Sequence, residues 1–153
     1  MTSNYKVAYF KLFHDQYYQL AKDVKAIAEK SPKDYKSHPK TKLLAKVYKV
    51  VHMDICNDPT HKCFRLGNTL GPKYRTWKRA KSGLPDRYRL FFMYRSNERK
   101  SIIAWMNNEF SLRQQNGKND PYIIFKKMLD NKKIPSNWNE LKKGVPSKVD
   151  VDA

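Results

Sequence analysis

The chain has 153 residues, 32 Lys and Arg against 14 Asp and Glu, and a formal net charge of +18. That length is one domain of ordinary size, and an apolar fraction of 40% with 13% aromatic residues can fill a real core. No apolar run approaches the ~20 residues needed to span a bilayer and nothing resembles a signal peptide, so the expected compartment is the cytoplasm; so strong a positive charge calls for a polyanionic partner, whether nucleic acid, an anionic membrane surface or an acidic protein.

In chain order, Phe10, Phe13, Tyr17, Leu20, Val24 and Ile27 recur every three to four residues, which predicts an α-helix over Tyr9–Glu29 with one narrow apolar stripe. Lys30 to Lys40, with Pro32 and Pro39, breaks it. A second helix is expected from Thr41, as N-cap, to Ile55 or Cys56, buried through Leu43, Leu44, Val47, Val50, Val51 and Ile55, and stopped by Asn57-Asp58-Pro59. The two form an antiparallel hairpin with one apolar face each. Phe64–Leu70 reads as a first irregular strand, and Gly71-Pro72 as a turn.

Two strand arms follow, Trp77–Ser82 and Arg87–Arg95, joined by turn residues Gly83 to Asp86. From Lys73 to Lys100 there are ten basic residues against two acidic ones, Asp86 and Glu98. Alternation places Arg87, Arg89, Phe91 and Met93 on one face. A symmetric turn would set Arg79 opposite Arg89 and Lys81 opposite Arg87, where like charges repel unless an anion such as phosphate lies on that face. A merely solvated face of a basic protein is the alternative reading. Ser101–Asn107, apolar on both faces, predicts a central strand covered above and below. A long polar loop runs to Asn119, of a length that is often functional. Asp120-Pro121 opens a helix as N-cap and first residue, and Ser136–Lys143 adds a short turn. The expectation is therefore a single domain over residues 1–143 and a disordered tail over 144–153.

The catalytic patterns of hydrolases, P-loops and dinucleotide sites are missing from the sequence, and no tight carboxylate cluster stands out. Cys56 and Cys63, near His52 and His61, match no usual zinc spacing and are expected to be free thiols, so neither a metal nor another cofactor is expected. His14, His38, His52 and His61 all precede the basic segment and read as exposed or capping residues. What remains is an anion site rich in Arg and Lys with interleaved rings (Tyr74, Trp77, Trp105, Tyr122). That combination suits single-stranded nucleic acid, whose phosphates pair with cations and whose bases lie on rings.

An ordered series of segments carries a resemblance. Gly67-Asn68-Thr69-Leu70-Gly71 is followed by Tyr74, Trp77 and Arg79-Ala80-Lys81, and then by Arg87-Tyr88-Arg89-Leu90-Phe91-Phe92. After these come Ala104-Trp105-Met106-Asn107-Asn108-Glu109, Asp120-Pro121-Tyr122 and Phe125-Lys126-Lys127-Met128-Leu129. Together they resemble the YhaV toxin family of the RelE/ParE superfamily of type II toxin–antitoxin systems, over nearly the whole chain. The resemblance implies an α+β fold: an N-terminal antiparallel helical hairpin packed on a small antiparallel β-sheet, with a C-terminal helix. It implies a growth-inhibiting mRNA interferase, acting on mRNA free or on the ribosome, and a PrlF-type, AbrB-like swapped-hairpin antitoxin. By correspondence, Arg89 stands at the scissile phosphate, Arg79 and Lys81 on the basic strand before it, Arg113 after the last strand and Tyr122 at the C-terminal helix. Lys78 departs from the pattern, since an apolar residue suits its face better; its stem can snorkel at a sheet edge.

The implied reaction is attack of the substrate's own 2′-hydroxyl on the adjacent phosphate, which needs no metal. Arg79, Arg89 and Arg113 would stabilise the charge that grows on the phosphorane. Since neighbouring cations favour the neutral form of a lysine in general, Lys81 is a candidate base, with Glu109 the alternative. Tyr122 would orient the nucleotide or donate a proton. Tyr74, Arg75, Trp77, Lys78, Arg87 and Arg95 are expected to bind RNA. A non-catalytic RNA- or ribosome-binding protein and a ParE-like gyrase inhibitor stay open as alternatives.

Overall fold

The computed structural model describes residues 4–114 and 117–146. Its elements in order are β1 (Lys6–Tyr9), α1 (Lys11–Lys30), α2 (Pro39–Lys49, continued by a π-helical turn over Val50–Ile55), β2 (Lys78–Ala80), β3 (Leu90–Arg95), β4 (Lys100–Met106), α3 (Pro121–Asp130) and α4 (Trp138–Lys143). The class is α+β, as expected. The sheet order is β1-β4-β3-β2, and β1 runs parallel to β4 while the other pairs are antiparallel. The sheet is thus mixed rather than purely antiparallel. β1 escapes sequence reading because four residues are too few to show alternation, and its partner lies far along the chain.

β4 is central and covered on both faces, as its doubly apolar sequence requires. Ile103 and Met106 join Ala80, Leu90 and Phe92 beneath the helical hairpin, where Phe13, Tyr17, Val47, Val50, Val51 and Ile55 are buried. Ile102 and Ala104 join Phe91 and Met93 beneath α3 and α4, with Phe125, Leu129, Trp138 and Leu141. Burying a side chain of this kind contributes roughly 1.5–3 kcal/mol.

The hairpin is antiparallel: the Tyr9 hydroxyl before α1 meets His52 Nε2 after α2 at 2.5 Å, and Lys40 at the start of α2 pairs with Asp23 within α1 at 3.0 Å. Two details differ from the sequence reading. Phe10 is the residue capping α1 and turns into the opposite core. The second helix begins at Pro39 with His38 as cap, accepting from Lys40 N at 3.1 Å. Pro39, read as a breaker, serves instead as a first helical residue, where a missing N–H costs nothing.

Between the hairpin and β2 the expected strand over Phe64–Leu70 is replaced by a 3-10 turn at Lys62–Phe64, a single bridge from Arg65 to Lys78 and a run of turns. The strand arms are also shorter than expected. Leu84 is buried against the helical hairpin, which widens the connection between β2 and β3. Arg79 consequently pairs with Phe91 rather than Arg89. The offset is two residues, so Arg79 and Arg89 keep the same face.

Gly144 and Val145 belong to the packed domain: Lys11 N donates to Gly144 O at 2.9 Å and Val145 packs on the core. Residues 147–153, where the disordered tail is expected, lie outside the described residues. No helix among the described residues is long and apolar enough to cross a membrane.

Two outcomes follow. A Cβ at position 144 would overlap the Phe10 ring, which is 1% exposed, so Gly144→Ala should lower stability in chemical denaturation by about 1–3 kcal/mol. The Tyr74 hydroxyl donates to Asp130 Oδ1 at 2.5 Å, and this bond, reinforced by burial, pushes the phenol up to about 12. The folded state therefore holds the proton more tightly than the unfolded chain, whose phenol titrates near 10. This stabilisation is complete below pH 10 and lost as pH rises through about 12, so a pH series of denaturation curves should show a fall in that window that Tyr74→Phe lacks.

Candidate active site

Three segments converge at one end of the sheet: β2 with the approach to β3, the loop after β4, and the start of α3. Asn107, 1% exposed, stitches the first two together. Its Oδ1 accepts from Arg89 N at 2.7 Å, and its Nδ2 donates to Arg87 O at 3.2 Å and to Ser111 O at 2.8 Å. The side chain thereby extends the ladder past the end of the strands. Arg113 N then donates to Arg87 O at 2.8 Å, and Arg87 Nε returns a bond to Arg113 O at 3.0 Å. Arg87 has a φ of 70°, a left-handed backbone that costs a non-glycine residue roughly 1 kcal/mol or more and is held by these bonds.

Asp120 supplies the third anchor. Its carboxylate is buried, caps α3 by accepting from Tyr122 N at 3.1 Å, accepts from Gln114 N at 2.9 Å and forms an ion pair with Arg113 at 2.6 Å. With α3 fixed in this way, the Tyr122 ring lies 4.8 Å from the Arg113 guanidinium and edge-on to Phe91, centroids 5.5 Å apart. Its hydroxyl oxygen accepts two guanidinium bonds, from Arg79 Nη1 and from Arg89 Nε, each 3.1 Å. Arg79 Nη2 also donates to Arg65 O at 2.6 Å, and Arg89 Nη1 to Tyr88 O at 2.9 Å. Arg79 Nε is buried with no partner. Arg79, Arg89, Arg113 and Tyr122, four side chains from three distant segments, are thus one cluster.

The other candidates divide. Lys81 is exposed and lines a shallow recess with Asp86, Arg87 and Arg89. Glu109 is not brought to the arginines: it lines a groove on the helical-hairpin side with Gln16, Asp23, Lys40 and Tyr88. There the Tyr88 phenol is pushed up by burial and by the Glu109 carboxylate. Tyr74 and Trp77 are core residues, 3% and 0% exposed. Trp77 donates from Nε1 to Ser136 Oγ at 3.1 Å and packs edge-on against Phe125, so its ring is a wall of the core and offers no face to a base. Trp105 is half-buried and stacked with Phe91. Arg75, Lys78 and Arg95 line a separate cleft near α4.

His52 bonds to Tyr9, the Cys56 thiol donates to Tyr5 O at 3.0 Å, and the His61 ring caps Cys63 N at 3.0 Å. Among the described residues no group of three or more His, Cys, Asp or Glu side chains could hold a metal ion. Sequence reasoning missed the positioning roles of Asn107 and of the Asp120–Arg113 pair. The Asp120-Pro121 cap signal identified the residue, but nothing in the spacing shows that its second task is to hold an arginine.

Removing the Asp120 carboxylate leaves Arg113 without its anion and α3 without its cap. Asp120→Ala should cost about 3–5 kcal/mol in denaturant titration, well beyond the ~1 kcal/mol of an ordinary cap.

A family model described as a toxin with endonuclease activity, of a toxin–antitoxin system, matches residues 7–145. Toxin YhaV of Escherichia coli O6:H1 is 41% identical over 130 residues, which is 84% of each chain. Ribonuclease toxin YhaV of Escherichia coli K12 is 40% identical over the same share of both chains. No solved structure matches. The helical hairpin, all of the mixed sheet but Lys6, and the arginine–tyrosine cluster lie within the matched span, and the chain belongs to the YhaV family of toxins with endonuclease activity that form part of toxin–antitoxin systems.

Proposed function

We propose that this toxin is a ribonuclease that breaks mRNA by attack of the 2′-hydroxyl on the adjacent phosphate, and that it does so without a metal ion. The observation that carries this reading is the meeting of Arg79 and Arg89 on the Tyr122 oxygen, with Arg113 against the same ring. Two guanidiniums aimed at one oxygen form a preorganised seat for a phosphoryl oxygen, which, being charged, is a stronger acceptor than a neutral phenol. The name of the K12 relative, a ribonuclease toxin, supports RNA as the substrate.

In this reading the arginines hold the non-bridging phosphate oxygens and stabilise the charge that develops as the 2′-oxygen closes on phosphorus. With both acceptor positions of Tyr122 occupied by guanidinium N–H groups, its own O–H is left to donate, either to a phosphate oxygen or to the departing 5′-oxygen. Lys81, beside Arg89 in the recess, is better placed than Glu109 to exchange a proton with the 2′-hydroxyl. The products are a 2′,3′-cyclic phosphate and a 5′-hydroxyl, and the proton lost by the 2′-hydroxyl is balanced by the one gained by the 5′-oxygen. The helical hairpin on one face of the sheet and the C-terminal helices on the other suit a RelE/ParE-type fold. A PrlF-type, swapped-hairpin antitoxin is the partner we propose, and cytoplasmic mRNA, free or ribosome-bound, the target.

The test is cleavage of mRNA by purified protein with and without ribosomes, with mapping of 5′ ends. Expected are 5′-hydroxyl ends, no loss of cleavage in EDTA, and a fall of about 10²–10³ in rate for Arg89→Ala or Arg79→Ala, the usual loss for one donor to a developing oxyanion. Full activity of Arg89→Ala, or no cleavage under either condition, would overturn the reading.

A further inference from the structure

Away from the arginine–tyrosine cluster, a cleft of roughly 530 Å³ opens where β3 runs on beyond the end of β2. It is lined by Arg75, Lys78 and Arg95 together with Tyr94 and Trp138. Its chemistry sets it apart from four other recesses among the described residues, each of which contains a carboxylate: Asp130 and Glu140 in one, Asp23 and Glu109 in the second, Asp54 and Asp58 in the third, Asp86 in the fourth. This cleft has none. Among the described residues, Arg75, Lys78 and Arg95 form no ion pair within 4.0 Å.

Two of the cations are nevertheless held in place. The Arg95 guanidinium lies 5.5 Å from the centroid of the Trp138 ring, whose Nε1 donates to Glu98 Oε2 at 2.9 Å. Glu98 pairs with Lys142 at 2.8 Å; that hydrogen bond, the one from Trp138 and, more weakly, the Arg95 charge hold its carboxyl below the usual range. Lys78 Nζ lies 5.9 Å from the Tyr94 ring, and its ammonium is pushed down by burial and by Arg65. A guanidinium packed against a ring keeps its N–H edge available for bidentate contact with phosphate. Three cations without an ion-pair partner in one concave site, one of them half-buried, repel one another and become favourable around an anion.

We propose that this cleft is a second phosphate-binding subsite, which takes the backbone of the RNA substrate several nucleotides away from the bond that breaks. This assignment rests on the ribonuclease reading. Arg89 and Arg95 are six residues apart along one strand direction, about 20 Å at ~3.3 Å per residue. Lys78 and Arg79 are consecutive on β2, the edge strand, so their side chains leave opposite faces of one edge, and a chain following that edge can meet both. A polyanion leaving the arginine cluster along that edge reaches the cleft, and its charge repeats with every nucleotide. The subsite reads charge and not base identity, because its cations meet phosphate and its rings are already engaged by cations of the protein.

The experiment measures fluorescence anisotropy with fully 2′-O-methylated RNA oligomers of graded length, which cannot be cleaved, across a salt series. The probe proteins are wild type and the triple variant Arg75→Gln, Lys78→Gln, Arg95→Gln. Three lost phosphate contacts should flatten the slope of log affinity against log salt by about 2, at ~0.7 per contact on a single strand, with a loss of affinity that grows with oligomer length. Should the half-buried Lys78 change disturb folding by circular dichroism, the double variant at the exposed Arg75 and Arg95 should flatten the slope by about 1.4. An unchanged slope in a folded variant overturns the subsite alone. So does a variant that binds RNA as wild type does but loses affinity for the antitoxin, which would make the cleft a docking surface for an acidic protein segment. A wild-type protein that binds no RNA overturns the subsite and the ribonuclease reading together.

Discussion

Holding like charges together without cancelling them is the constraint on which the site depends. Arg79, Arg89 and Arg113 surround one tyrosine, and a single buried carboxylate, Asp120, meets only the last of them. The hydrogen bonds that the other two guanidiniums make go to neutral oxygens, the Tyr122 hydroxyl and the backbone carbonyls of Arg65 and Tyr88, while Arg79 Nε has no partner. Neutral acceptors fix direction while leaving most of the positive charge uncompensated, as a site for a charged transition state requires. Had each arginine been given its own carboxylate, the cluster would be rigid but electrically silent.

Rigidity comes from the two-sided sheet. β4 is gripped by a core above and a core below, so its end is a stable point from which Asn107 can reach the backbone of Arg87 and Arg89. On the C-terminal face Phe91 stacks on Phe125 at 4.1 Å and supports Tyr122 edge-on. Aromatic residues that look from the sequence like surfaces for bases are mostly the buttress of the tyrosine. The tyrosine in turn sets the arginines.

The wider electrostatics make the partners intelligible. Many of the acidic side chains are already committed within the domain: Asp23, Asp54, Asp120, Asp130, Glu98 and Glu140 each hold a lysine or arginine. With a net charge of +18 there is no internal reserve of anions to quiet the surface. Relief has to come from outside, from a nucleic acid or from an acidic protein, and two such ligands competing for the same cations would exclude each other. In the proposed reading, substrate capture and silencing by an antitoxin would be two uses of one electrostatic fact.

Sequence reading was strongest where a signal is local and repeated. The 3.6-residue period of Phe13, Tyr17 and Val24 marked α1, the doubly apolar run around Ile102 to Met106 marked the central strand, and Asp120-Pro121 marked the start of α3. Alternation along Arg87 to Met93 placed Arg79 and Arg89 on one face, and this survived a two-residue error in register because strand faces repeat every second residue. Short or non-local features were illegible. β1 has four residues and a parallel partner far along the chain, and the burial of Leu84 that widens the turn depends on helices it meets only after folding.

The division at the site has the same origin. Residue type and alternation alone determined that this chain carries a dense set of cations on one strand face, with a capped helix and a tyrosine to follow. Only the tertiary structure decided that Trp77 and Tyr74 are walls, that Glu109 faces the hairpin, and that Arg79, Arg89 and Arg113 share Tyr122. Periodicity is a property of neighbouring residues and can be read along the chain. Convergence of Arg79, Arg113 and Tyr122 is a distance through space, set by how two cores close on either side of β4.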